Sequence, residues 1–169
     1  MGQVISTTTS AGVTLSNQSY NPVTITGDSR ISQTTGSNGA LYGKGAATNS
    51  WTIDNFGQVS GGSAVGGVYL GSVVYHVTNG VIINESGGTI TGSRNAVAVA
   101  GFGSVTNKSG AVISAVGNAG IYLRSQGTVI NYGTVTDSGN LGVYERGGGT
   151  VTNGAGGTIS GGRDRKSVV

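Results

Sequence analysis

An internal repeat restricts the folds open to this chain more than any other feature of the sequence. The first half of the repeated unit ends in asparagine and reads Val-Ile-Ile-Asn at 81–84, Ser-Val-Thr-Asn at 104–107 and Thr-Val-Ile-Asn at 128–131. A glycine-led half follows, as in Gly-Thr-Val-Thr at 133–136. The five asparagines are 29, 23, 24 and 22 residues apart: Asn55, Asn84, Asn107, Asn131 and Asn153. A period of this length is typical of solenoids.

Each unit contains a third segment, which precedes the other two. It reads Gly-Val-Tyr-Leu at 67–70, Ala-Val-Ala-Val at 96–99 and Gly-Ile-Tyr-Leu at 120–123. Apolar and other residues alternate in all three segments, which is the pattern of a strand with one buried face. Three short strands and three turns fit one coil of a parallel β-helix. The sequence therefore predicts an all-β fold, a single-stranded right-handed parallel β-helix (solenoid) with three short strands per coil.

Stacked coils place equivalent aliphatic residues above one another inside the helix. The asparagine-bearing segment supplies one inward column: Ile53, Ile82, Val105, Val129 and Val151. The glycine-led segment supplies another: Val59, Ile90, Ile113, Val135 and Ile159. The preceding segment supplies the third: Val68, Leu70, Val97, Val99, Ile121, Leu123 and Val143. One coil cannot bury its apolar face alone, so we expect the coils to be stable only as an array.

The repeated asparagine stands where the second strand of a coil must turn into the third. Asparagine tolerates left-handed backbone angles, and its amide both donates and accepts hydrogen bonds. We predict that Asn55, Asn84, Asn107, Asn131 and Asn153 form a structural ladder along the axis. The alternative is that these amides bind a ligand.

The repeat divides the chain into three parts. Residues 1–34 repeat less cleanly and are predicted to form an N-terminal cap with the first irregular strands, while residues 35–163 hold the β-helix repeats. Trp51 is expected to close that end of the core. The tail, residues 164–169, matches no repeat, and codons that could encode it resemble a sequencing adapter. We interpret the tail as a sequencing artefact and expect the natural chain to continue.

Composition and charge exclude several classes of protein. The chain of 169 residues has no cysteine, so disulfide scaffolds and thiolate metal sites are excluded. Its 34 glycines and its many β-branched residues disfavour a helical fold. The nine Lys and Arg residues are scattered except at the C-terminus, whereas nucleic-acid-binding proteins concentrate them on one face. No apolar run approaches the ~20 residues of a membrane-spanning helix. We expect neither a nucleic-acid partner nor a membrane span.

Candidates for catalysis are few. A carbohydrate-cleaving β-helix needs paired carboxylates or acidic clusters that hold Ca²⁺. No two acidic residues share a column in adjacent coils of the predicted alignment: Asp28, Asp54, Glu85, Asp137, Glu145 and Asp164. The single histidine, His76, is expected in an exposed loop. We predict no catalytic residues, no metal site and no cofactor.

The candidate binding surface is aromatic. The outward residue at the middle of the first strand is Tyr69, Ala98, Tyr122 and Tyr144 in successive coils. Tyrosines that present an apolar body and a polar tip suit contacts with sugars and proteins. The alternative is that they only favour strand formation and stack on one another. Glu145 replaces an inward leucine, and we expect its side chain to turn outward or to mark a local irregularity.

A known family shares this pattern. The run from Trp51 to Val59, followed by repeats of the form Val-Thr-Asn-x-x-Gly-Gly-Thr-Ile-Ser, resembles the β-helical passenger region of bacterial autotransporters over roughly residues 13–162. The resemblance implies type V secretion, a place on the cell surface or outer membrane or in the secreted fraction, and a C-terminal translocator barrel in the full-length protein.

On this resemblance, the chain is a truncated passenger fragment without that barrel. Its expected function is that of a structural or adhesive stalk without catalysis, and its expected partner is a protein or glycan of a host or cell surface. Two alternatives from other classes stay open. One is a β-helical carbohydrate-active enzyme, a lyase or glycoside hydrolase, and the other is a component of a phage or a secreted filament.

Overall fold

The computed structural model of the protein describes residues 2–36, 38–44, 49–63, 66–71 and 78–162. Within these ranges the chain forms 20 β-strands and one short 3-10 helix, Gln18–Tyr20. The strands fall into three parallel sheets. Sheet 1 consists of β1 (Gln3–Ile5), β4 (Val23–Ile25), β7 (Ser50–Asn55), β10 (Asn79–Asn84), β13 (Gly103–Asn107), β16 (Gly127–Asn131) and β19 (Gly149–Asn153).

The other two sheets contain the remaining strands. Sheet 2 consists of β2 (Thr8–Thr9), β5 (Arg30–Gln33), β8 (Gln58–Gly61), β11 (Thr89–Gly92), β14 (Val112–Ala115), β17 (Thr134–Asp137) and β20 (Thr158–Gly161). Sheet 3 consists of β3 (Val13–Leu15), β6 (Gly39–Gly43), β9 (Gly66–Leu70), β12 (Asn95–Val99), β15 (Ala119–Leu123) and β18 (Leu141–Glu145).

The chain passes through the three sheets in turn, and each strand pairs in parallel with its equivalent one coil away. The 20 strands therefore make six complete coils, and β19 and β20 begin a seventh. This arrangement confirms the predicted parallel β-helix with three strands per coil.

The core lies between the three sheets and consists of the aliphatic columns that the repeat predicted. Val105 is the direct partner of Val129, and Val129 is the partner of Val151. Val105 and Val129 are fully buried, whereas Val151 and Ile159 in the last coil are only partly buried. The alternation of the sequence decides this placement, because successive side chains of a strand point to opposite faces.

Residues at the N-terminus belong to the stack itself. β1 pairs with β4, and β4 pairs with β7, so the segment expected to form a cap contributes strands to the same sheets as the repeats. Asn21 precedes β4, and its side chain extends the pairing with β7 by two hydrogen bonds to the backbone of that strand. Its Nδ2 donates to the carbonyl oxygen of Ser50 at 3.1 Å, and its Oδ1 accepts from the backbone N–H of Thr52 at 2.7 Å.

Trp51 does not close the end of the core. It lies on β7, in the third coil, and is completely buried, with two coils before it. It fits because Gly43 stands opposite it, and a Cβ added at Gly43 would lie 2.8 Å from Cδ1 of Trp51. Here the glycine lies on sheet 3 and the large residue on sheet 1. Later in the chain the arrangement is reversed: Leu70 and Leu123 on sheet 3 face Gly80 and Gly127 on sheet 1. His76 and the tail 164–169 lie outside the described residues.

Candidate functional site

The repeated asparagines lie in register at the ends of the strands of sheet 1 and are joined by side-chain hydrogen bonds. Each Nδ2 donates to the Oδ1 of the asparagine in the next coil. The Nδ2–Oδ1 distances are 2.8 Å for Asn55–Asn84, 2.9 Å for Asn84–Asn107, 2.8 Å for Asn107–Asn131 and 2.8 Å for Asn131–Asn153. The arrangement is a continuous amide ladder that runs in one direction along the axis.

Backbone carbonyl groups use the remaining donor capacity of the ladder. Nδ2 of Asn107 also donates to the carbonyl oxygen of Ala111 in its own turn, at 3.3 Å, and to that of Thr134 in the next coil, at 3.1 Å. The first four asparagines are fully buried, while Asn153 is exposed on the last coil. These bonded amides hold successive turns together and leave a ligand little to bind.

The ladder does not extend to the first two coils. The register places Ile5 and Ile25 at the positions that Asn55 occupies in the third coil. There the turn is held by a hydroxyl group, since Oγ of Ser29 donates to the carbonyl oxygen of Ile5 at 2.8 Å. This difference explains why residues 1–34 lack the repeat signature although they fold in the same way.

The outward tyrosines form two ring pairs on sheet 3, one stacked and one tilted. The rings of Tyr42 and Tyr69 are 5.6 Å apart with an interplanar angle of 15°. Those of Tyr122 and Tyr144 are 5.4 Å apart with an angle of 48°. Ala98 separates the two pairs in the register and is only 7% exposed. Cross-strand aromatic pairs of this kind stabilise a sheet.

The two pairs differ in how much ring they offer to a partner. Tyr69 lies against Gly71, where an added Cβ would be 2.9 Å from its Cε2. Burial raises the pKa of Tyr69 above its ordinary value, and Tyr42 raises it further, while Arg124 and Arg94 oppose the shift. Tyr144 is 38% exposed, which makes the Tyr122–Tyr144 pair the better contact surface.

Asp54 and Glu85, which belong to neighbouring coils, interact electrostatically at sheet 1. Glu85 forms a salt bridge with Lys108, with 2.7 Å between Oε2 and Nζ. Burial raises the pKa of Asp54, the Glu85 carboxylate raises it further, and Lys108 lowers it. The column alignment did not place these carboxylates together, because Asp54 lies before the turn and Glu85 lies after its equivalent one coil later.

Glu145 corrects the sequence prediction, because its side chain points inward. The register of β15 and β18 is unbroken and sets Glu145 opposite the inward Leu123. The residue is 9% exposed, and neither carboxyl oxygen has a hydrogen-bond partner among the described residues. Burial raises the pKa of this carboxyl. The backbone pairing fixes the direction of the side chain, although the interior disfavours its charged form.

Sequence reasoning missed an open cleft where sheet 3 turns into sheet 1. Its volume is about 380 Å³, and its lining comes from three successive coils: Phe102, Gly103, Gln126, Gly127, Thr128, Gly149 and Thr150. The three glycines are equivalent positions of the repeat, and so are the two threonines, but the repeat does not mark a cleft. The feature of the sequence that distinguishes this place is the phenylalanine at a turn where the next two coils carry Gln126 and Gly148.

The described ranges contain neither a candidate metal centre nor a membrane-spanning helix. There, no three or more His, Asp or Glu residues are grouped so that they could hold a metal ion. In the same ranges no helix is long and apolar enough to cross a membrane.

Comparison with known proteins adds no relative. No protein-family model, no curated protein and no solved structure matches the chain. The fold and its contacts therefore define the class: a parallel β-solenoid with an internal asparagine ladder and an outward row of tyrosines.

Proposed function

We propose that the chain is a surface-exposed structural and adhesive segment of an autotransporter passenger, a stiff stalk without catalysis. The observation that carries the proposal is the unbroken stack of in-register coils around one core. Seven strands spaced by about 4.8 Å give sheet 1 a length of roughly 29 Å along the axis. Such a rod separates whatever it carries from the surface to which it is attached.

The outer face of sheet 2 supports the role of a spacer. Short hydroxyl residues follow one another there, and they bond to each other along the axis. Oγ1 of Thr91 bonds with Oγ of Ser60 at 3.0 Å, and Oγ1 of Thr136 bonds with Oγ of Ser114 at 3.1 Å. Hydroxyl groups that pair with one another across coils suit an exposed rod better than a reactive site.

The Tyr122–Tyr144 pair supports the adhesive part of the proposal. Both rings face outward on neighbouring strands, and Tyr144 belongs to the more exposed large residues of the chain. Arg124 and Arg146 follow them by two residues, so the same flank carries positive charge. Aromatic side chains and arginine are enriched where proteins bind other molecules.

Surface display tests this proposal. The chain would be placed between a signal peptide and an unrelated translocator domain in a Gram-negative host, and surface exposure would be measured by protease accessibility of intact cells. We expect a displayed, folded chain that makes cells adhere to immobilised host-surface proteins or glycans. The double variant Tyr122→Ser/Tyr144→Ser should reduce adhesion about tenfold while display is unchanged.

The matched control is Tyr132→Ser, which removes an exposed tyrosine outside the column. A chain that is not displayed contradicts the secretion route. Adhesion that is equal in the double variant and in the control contradicts the role of the tyrosines.

A second candidate function, carbohydrate cleavage, has one observation in its favour. Asp54 combines a raised pKa with a neighbouring carboxylate, and such pairs occur in acid–base catalysis. Release of reducing ends or of unsaturated sugars from neutral and acidic polysaccharides would support it, provided that Asp54→Asn abolishes the release.

A further inference from the structure

We propose that the cleft between sheets 3 and 1 is a binding site for a neutral sugar ring of a glycan. The inference rests on the proposed adhesive function and names its ligand class and its site. The cleft's volume of about 380 Å³ lies within the range of small-molecule sites. Its lining combines one aromatic ring with uncharged polar side chains, and that combination determines the chemistry of the ligand.

Phe102 supplies the apolar wall of the cleft, and two hydrogen bonds fix its backbone. Its backbone N–H donates to Oδ1 of Asn79 at 2.9 Å, and its carbonyl oxygen accepts from the N–H of Gly80 at 3.0 Å. The side chain is 62% exposed although both backbone groups are fixed to the preceding coil. Because the backbone is fixed, only the side-chain torsions of Phe102 lose freedom when the C–H face of a pyranose packs on its ring.

Three polar side chains stand beside the ring. Gln126 precedes Gly127, the direct partner of Gly103, and therefore occupies in its coil the position that Phe102 has in the preceding one. Its amide both donates and accepts hydrogen bonds. Thr128 and Thr150 pair directly across β16 and β19 and add two hydroxyl groups. Sugar hydroxyl groups also donate and accept, so they match this set.

A glycine keeps the end of the cleft open. Gly148 has a φ of +78°, and a Cβ added there would meet nothing within 4 Å. A side chain at this position would occupy space next to Gly149 and Thr150, and the left-handed backbone disfavours one. The turn therefore leaves access to the polar groups from the side of the last coil.

The lining argues for a neutral ligand. None of the seven lining residues is charged. An acidic sugar or a phosphate would lose hydration there without gaining a charged partner in the lining, which is costly. A wholly apolar ligand would leave Gln126 and the two threonines without partners. A neutral pyranose satisfies both conditions.

Saturation-transfer NMR on the purified chain tests the site. The probes are the methyl glycosides of glucose, galactose, mannose and N-acetylglucosamine and their β-linked disaccharides. We expect at least one of them to bind, and Phe102→Ala to weaken that binding about tenfold. Phe102→Tyr should restore most of it, because the ring is kept. Phe56→Ala, which removes another exposed phenylalanine, should leave it unchanged.

The outcomes that overturn the site differ from those that overturn the proposed function. The site is wrong if no probe binds, if Phe102→Ala and Phe56→Ala bind alike, or if only acidic sugars such as methyl galacturonoside bind. Adhesion of displayed cells that requires Tyr122 and Tyr144 but survives Phe102→Ala, without sugar binding, rejects the cleft and retains the stalk. Sugar binding that depends on Phe102 in a chain that cannot be displayed retains the cleft and rejects the secretion route.

Discussion

Glu145 is the residue at which side-chain chemistry and backbone pairing conflict. The position belongs to the inward column that Leu123 occupies one coil earlier. The sequence reveals the substitution but not its outcome, because polarity alone favours an outward side chain. The outcome depends on β18, whose hydrogen bonds to β15 fix the alternation of side chains for the whole strand. The result is a buried carboxyl that has no hydrogen-bond partner within the part of the chain that the structure describes.

This carboxyl makes stability depend on pH. Burial raises the pKa of Glu145 above its ordinary value of 4.5, so the folded chain retains this proton at a pH where the unfolded chain has lost it. The contribution of Glu145 to the free energy of unfolding is therefore fully present below the unfolded pKa and is lost as pH rises through the folded pKa.

Glu145→Leu should remove this dependence and complete the aliphatic column. We expect the variant to gain stability over the wild type, and to gain more at pH 7 than at pH 4, in urea denaturation at both pH values. Asp54, whose pKa is also raised, is present in both proteins and cancels in the difference. A difference in stability that is the same at both pH values would show that Glu145 does not titrate differently on folding.

At the level of strands and turns, the repeat was sufficient to predict the three sheets and their register. Equivalent segments of nearly equal length can pair only in one way if the aliphatic residue of each inward column is to stay inside. The N-terminal strands were not recognised as regular coils because they carry Ile5 and Ile25 where later coils carry asparagine. The cleft could not be predicted, because the repeat gives the glycines and threonines of its lining the same pattern in each coil and does not show where a cleft opens beside Phe102.

The turn from sheet 3 to sheet 1 pairs large side chains with glycines. This is a second feature that the repeat alone does not reveal. Large inward residues there face glycines: Leu70 faces Gly80, Leu123 faces Gly127 and Trp51 faces Gly43. We expect Gly127→Ala to destabilise the chain by about 1–3 kcal/mol, because the added methyl group meets the side chain of Leu123 and would lie 2.8 Å from the backbone carbonyl oxygen of Gly103. The double variant Gly127→Ala/Leu123→Ala should show a favourable coupling energy, measured by urea denaturation of all four proteins.

Gly27→Ala is the matched control for this substitution. Gly27 lies in an exposed turn, where the nearest heavy atom to an added Cβ is 3.8 Å away. Its effect should stay within about 0.5 kcal/mol. Additive effects in the double variant, or an equal loss at Gly27 and Gly127, would show that the contact with Leu123 does not limit the size of the residue at position 127.

For the whole molecule, the ladder links stability to position in the stack. A solenoid coil contacts only its neighbours, so an interior coil has two interfaces and a terminal coil has one. Asn107 bonds across both of its interfaces. Its Oδ1 accepts from Asn84 in the preceding coil, and its Nδ2 donates to Asn131 and to the carbonyl oxygen of Thr134 in the following coil. Asn153 accepts from Asn131 and donates only within its own turn, to the carbonyl oxygen of Gly157.

The same substitution should therefore have different costs at these two positions. Asn107→Leu removes a buried amide together with its bonds to Asn84, to Asn131 and to the carbonyl oxygen of Thr134, and it should lower the free energy of unfolding by about 2–4 kcal/mol. Asn153→Leu removes one interface bond at an exposed position and should cost less than about 1 kcal/mol. Urea denaturation at one pH measures both. Equal losses would mean that the asparagines act through their own turns and not as a ladder, since only bonds between coils distinguish the interior position from the terminal one.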